Sequence, residues 1–149
     1  MKRAIIITLI IFLVRCGYGM YYTKTITPVP SHITRLKLME IKDVKVVTKY
    51  EEAGGKANYV RSILLSELLA SKRFPIDEHA KHHLIVSIDG YRAGYRKYIA
   101  LSGQIVDTST NEVVWSAAIS GVSKKYIDEV VKNVVMELVK EMSGQKKQS

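Results

Sequence analysis

A chain of 149 residues with a single cysteine has room for one domain and none for an intramolecular disulfide. With 47% hydrophobic and 25% charged residues it has the composition of a globular protein, which excludes a disordered or collagen-like chain. The formal charge is +9; from Cys16 onward 20 Lys and Arg face 14 Asp and Glu, leaving +6. Such an excess favours anionic partners (phosphorylated lipid, nucleic acid or an acidic protein face) over neutral ones, beside its plainer role in solubility.

Lys2 and Arg3 precede an uncharged apolar run of eleven residues, 4–14. A membrane-spanning helix needs about 20 apolar residues, so this run is too short to span and fits the apolar region of an export signal. It ends Leu13-Val14-Arg15-Cys16-Gly17-Tyr18, which resembles the signal of bacterial lipoproteins, where the cysteine is diacylated and becomes the new N-terminus. The resemblance makes residues 1–15 a signal peptide, Cys16 the lipidation site and the membrane a partner through that N-terminal lipid. Arg15 stands where the pattern has Gly, Ala or Ser; if cleavage failed, the segment would stay as a short uncleaved anchor.

Residues 16–32 carry Pro28 and Pro30 and little apolar periodicity, and read as an extended tether or an edge segment. The folded domain is expected over 33–143, with 144–149 as a polar tail. Residues 33–39 are strand-like, and 45–50 continue or pair with them. Glu51-Glu52-Ala53-Gly54-Gly55 breaks the chain. Val60, Leu64 and Leu68 then recur every four residues and predict a helix over 56–72, with Asn58 as its cap and Pro75 beyond its end. Phe74 and Ile76 suggest a brief strand.

Three strands follow. Leu84, Val86 and Ile88 face one side, Ser87, Asp89 and Tyr91 the other. Over 98–107, Ile99, Leu101 and Ile105 alternate with Ser102 and Gln104. Thr108-Ser109-Thr110-Asn111 returns the chain antiparallel, and Val113, Trp115, Ala117 and Ile119 form the larger face of the third strand. A second helix over 126–142 carries one stripe of Ile127, Val130, Val131, Val134, Leu138 and Met142, and stops at Ser143-Gly144. The expected fold is an α/β (α+β) two-layer sandwich. Its four-stranded sheet is mostly antiparallel and carries both helices on one face, in the order β-α-β-β-β-α.

Little in the chain suggests catalysis. Asp77-Glu78-His79 with His82-His83 is a ligand-like cluster, yet it sits on a connection and lacks a matched second pair, so it reads as a solvated turn and not as a metal site. There is no nucleophile elbow and no phosphate-cradling glycine loop, and nothing marks Asp89 and Asp107 as an acid/base pair. No catalytic residue, metal or cofactor is expected, and the chain is not read as an enzyme. Segment 91–98, Tyr-Arg-Ala-Gly-Tyr-Arg-Lys-Tyr, interleaves three cations with three tyrosines. Arg92, Arg96 and Lys97 are the candidate ligands for a lipid phosphate or an acidic partner, against the plainer reading of a wet hairpin with tyrosines paired across strands. RNA could use the same residues, but the export signal argues against nucleic acid.

With this element order, and with Cys16-Gly17-Tyr18, Ile105-Val106-Asp107-Thr108 and Glu112-Val113-Val114-Trp115, the chain resembles the lipopolysaccharide-assembly lipoprotein family, LptE. That resemblance implies an outer-membrane lipoprotein on the periplasmic face. It would support the β-barrel protein that inserts lipopolysaccharide and contact lipopolysaccharide itself. The 113–115 region and the hairpin also look like the TolB N-terminal, curli-assembly CsgG and penicillin-binding-protein-activator lipoproteins, which implies a periplasmic adaptor instead.

Overall fold

The computed structural model describes residues 20–25, 29–41 and 56–144. Cys16, the signal segment, the expected 45–50 strand and the polar tail beyond Gly144 lie outside them. In chain order the elements are β1 (Met20–Thr25), β2 (Lys37–Leu38), α1 (Lys56–Ser71), β3 (His82–Arg92), β4 (Lys97–Asp107), β5 (Glu112–Ser123) and α2 (Ile127–Ser143). The strands form one five-stranded sheet in the order β1-β5-β4-β3-β2. From β2 onward this is the expected β-α-β-β-β-α sandwich, mostly antiparallel; only β2 runs parallel to its neighbour β3. The long connection through α1 is what a parallel pair requires.

α1 forms because Val60, Leu64 and Leu68 fall on one side at helical spacing, and all three are buried. Asn58 lies inside its first turn and is exposed, so it does not cap it. α2 buries Val130, Val131, Val134, Val135, Leu138, Val139 and Met142. Asp128 and Glu129 lie in its first turn and Lys140 in its last, as the helix dipole favours. Gly144, at φ 67°, ends it in the left-handed conformation and its N–H closes onto Glu141 O and Lys140 O. α2 packs over β4 and β5, and α1 lies beside α2. Gly103 makes the close seating possible: a Cβ there would stand 3.2 Å from Leu138 Cδ1 and 3.3 Å from Trp115 Cζ3.

Four details differ from the sequence expectation. The strand expected over 33–39 contracts to Lys37–Leu38. Its earlier backbone groups are used elsewhere: Ile33 N–H bonds Pro30 O at 3.0 Å and Leu36 N–H bonds Pro75 O at 3.1 Å. Residues 20–25, left open as tether or edge, form edge strand β1, antiparallel to β5 from Met20↔Val122 to Thr25↔Ala117; this adds a fifth strand to the four expected. A register shift between Ile105 and Val106 pairs Ile105 with Trp115 but Val106 with Val113, which turns Val113 off the buried face and leaves it 55% exposed. A second shift, between Ile88 and Gly90, pairs Tyr91 with the buried Ile99. Tyr91 therefore packs against the core on the helix side instead of sharing a face with Ser87.

Candidate functional site

The hairpin tip joining β3 to β4 projects from one end of the sheet. Its shape follows from the bulge at Asp89 and from Gly90, where a Cβ would stand 2.8 Å from Tyr98 Cε1, so the Tyr98 ring lies against bare backbone. Arg92, Ala93, Gly94, Tyr95 and Arg96 are exposed; Lys97 is half-buried. The three candidate cations thus share one tip on different sides: Arg92 pairs with Tyr98, on the face away from the helices, Arg96 stands in the turn, and Lys97 pairs with Ser123.

Register brings further groups to this end. β5 finishes here, and Ser123 Oγ accepts the Lys125 N–H at 3.1 Å, turning the chain toward α2 and presenting Lys124 and Tyr126. Lys124 Nζ lies 5.4 Å from the centre of the Tyr95 ring, and Lys56 Nζ, at the start of α1, lies 5.1 Å from that of Tyr91. Such exposed cation–π contacts contribute about 0.5–1 kcal/mol each. Tyr59 joins the two helices at the same end. Its burial pushes its hydroxyl above the ordinary value, and a hydrogen bond to Asp128 and that carboxylate's charge push the same way.

Among the described residues Arg92, Arg96, Lys97 and Lys124 make no ion pair, whereas Lys125 pairs with Glu129 at 3.0 Å. The other end of the sheet holds ion pairs, although Arg73 and Lys81 make none there among the described residues. Arg35 reaches Asp77 at 3.2 Å, Lys37 reaches Glu78 at 3.6 Å, and His82 Nε2 lies 3.6 Å from Asp107 Oδ2 with its ring edge-on to His32 at 6.1 Å. Asp77 is held below the usual carboxylate range, chiefly by the His79 N–H and then by Arg35. Asp107 is lowered by the Ser109 hydroxyl and N–H, with His82 adding to it. The two acids of the acid–histidine stretch are thus taken by Arg35 and Lys37, and no three His, Cys, Asp or Glu side chains converge among the described residues. Asp89 and Asp107 are likewise apart in role, Asp89 accepting the Ser102 hydroxyl at 3.1 Å. No helix among the described residues is long and apolar enough to cross a membrane.

Sequence reasoning found the tip but missed Lys124 and Tyr126. Both precede a helix and carry no local pattern; only the antiparallel pairing of β4 with β5 sets them beside it.

No family model matches the chain, and no curated protein matches it in sequence. Solved structures share its fold. PelC from Paraburkholderia phytofirmans, a dodecamer, superposes with a TM-score of 0.65 at 15% identity over 87% of this chain and all 100% of its own. CT253 from Chlamydia trachomatis gives 0.61 at 7% identity, covering 74% of this chain and 95% of its own. XCC0632 from Xanthomonas campestris gives 0.60 at 14% identity, covering 80% and 92%. At these identities the likeness is one of fold.

Proposed function

We propose that this chain is a non-catalytic outer-membrane lipoprotein of the lipopolysaccharide transport and assembly machinery. It is held to the membrane by acylation of Cys16 and faces the periplasm. It supports a β-barrel translocon and holds lipopolysaccharide phosphates with Arg92, Arg96 and Lys97. The observation that supports this reading is the exposed tip itself, three cations within six residues and no carboxylate paired to them among the described residues. Phosphate oxygens satisfy such cations through charge-assisted hydrogen bonds. Because solvent and ions screen exposed charges over about 8 Å at physiological salt, the contacts act collectively and weaken as salt rises.

Replacing Arg92, Arg96 and Lys97 together by Ala is expected to weaken binding to purified lipopolysaccharide at low salt. Equal binding by the triple variant would remove the lipid role of the tip.

A periplasmic adaptor is the second reading. It draws on PelC, which uses this fold in a dodecamer, and on the helix-free face of the sheet, where Ser87, Ser102, Ser116 and Ser120 leave a low surface for a protein neighbour. Pull-down from solubilised envelopes separates the two: a large β-barrel partner supports the first, a cell-wall synthase or further copies of this chain the second.

A further inference from the structure

We infer that the whole end of the domain at which the chain enters it lies flat on an anionic phospholipid leaflet, the one that holds the protein's own anchor. Arg92, Arg96, Lys97 and Lys124 meet lipid phosphates there, and Tyr95 and Tyr126 sit at headgroup depth. This rests on the lipid-anchored reading, though not on lipopolysaccharide being the ligand.

Three independent features meet at this end. The first is the path of the chain. Met20 and Tyr98 flank Val122 on either side of β5, so the domain begins beside the hairpin tip. Cys16 precedes Met20 by four residues, and four residues span at most about 14 Å when extended. A membrane-inserted Cys16 therefore keeps this end, and not the other, within reach of the headgroups.

The second is charge. Four cations without an ion pair among the described residues stand at this end; at the far end Arg35 and Lys37 are paired with Asp77 and Glu78, and Lys81, likewise without an ion pair among the described residues, lies beside the acidic register pair Asp107↔Glu112. Two of the acids near the tip have partners: Asp89 accepts the Ser102 hydroxyl, and Glu129 is paired with Lys125. Unpaired basic groups close to a membrane are drawn to anionic lipid.

The third is the aromatic pair. Tyr95 is 77% and Tyr126 83% exposed, and neither contributes to the core. Tyrosine, with an apolar ring and a polar end, is the side chain enriched at membrane–water interfaces. Acyl chains at Cys16 provide attachment; the tyrosine–cation face adds orientation, so that the helices and the small-residue sheet face point sideways into the periplasm.

The test uses the native acylated chain, purified from envelopes and reconstituted into vesicles of phosphatidylcholine with or without phosphatidylglycerol. Flotation reports attachment, and amide hydrogen exchange reports contact. Exchange at residues 92–97 and 124–126 is expected to slow on the anionic vesicles only. The slowing should disappear at high salt and in a Lys124→Glu, Tyr126→Ser variant, while the 108–111 turn at the far end is unaffected. A chain that floats yet exchanges equally on both vesicles overturns the inference and leaves the anchored reading standing. Slowing confined to the 108–111 turn overturns it too. A native chain that does not float sinks the anchor and the inference together.

Discussion

Gly103 offers a quantitative probe of how α2 seats on the sheet. An added Cβ would stand 3.2 Å from Leu138 Cδ1 and 3.3 Å from Trp115 Cζ3, and those residues are 0% and 2% exposed. Neither neighbour can retreat into solvent. Gly103→Ala gains about 0.4–1 kcal/mol by restricting the unfolded chain. Overpacking costs about 1–3 kcal/mol, so the net effect is a loss of up to about 2.5 kcal/mol. Trp115→Ala alone costs about 3–5 kcal/mol, the price of a large buried ring. In that background the ring contact is gone and Leu138 has the vacated ring space to give way into, so Gly103→Ala becomes neutral or stabilising. The double-mutant cycle should therefore give a favourable coupling of at least about 1 kcal/mol. Urea unfolding followed by circular dichroism measures all four corners, provided the slope stays constant. Additivity within about 0.5 kcal/mol, or a single Gly103→Ala that stabilises, would refute the close helix–sheet contact at this point.

Other outcomes follow from the same structure. Trp115→Phe should lose clearly less than Trp115→Ala in the same urea assay, because Trp115 Nε1 is buried and finds no acceptor among the described residues, so the change also removes an unsatisfied donor. Gly90→Ala must displace the Tyr98 ring, whose Cε1 would stand 2.8 Å away, and the loss should vanish when Tyr98 is also Ala. The triple Arg92, Arg96, Lys97→Ala variant should unfold within about 0.5 kcal/mol of wild type, since these side chains make no ion pair among the described residues. Asp77 and Asp107 have lowered pKa values, so their contribution to stability is present above the ordinary carboxylate value near 4 and is lost as pH falls through their folded values. The thermal midpoint should drop on acidification through that window, and less steeply in an Asp77→Asn, Asp107→Asn variant; equal slopes would contradict the assignment.

The sequence made most of the sandwich legible because its strands alternate cleanly and α2 carries one continuous apolar stripe. It misled where alternation was counted across an inserted residue. Parity gives Val113 and Tyr91 each a face, and the extra residues at Val114 and Asp89 reverse it. An exposed bulge costs little and leaves almost no compositional trace; Asp89-Gly90 was the one hint, since a Gly inside a strand often marks one. Leu36 and Leu38 suggest a long strand, yet both are buried in the common core and only Lys37–Leu38 pair with β3, Leu36 bridging to Ile76 instead. The tip was legible because three cations without acids stand out in any window. Its extension to Lys124 and Tyr126 was not, because it depends on which strands become neighbours.

The pairing of β1 with β5 has a consequence for biogenesis. Met20 and Val122 are partners across about a hundred residues of chain. Were the chain exported from its N-terminus, as the proposed anchor requires, its first strand to emerge would wait for the last strand to arrive before it had a neighbour. Closing so long a loop adds little free energy per extra residue, but it orders events in time. β3 and β4 can zip as a local hairpin, β5 can join them, and only then can β1 dock. β1, the strand that follows Cys16 in the sequence, is thus the last to be fixed. Until then the edge of β5 that β1 will cover is open to other extended chains.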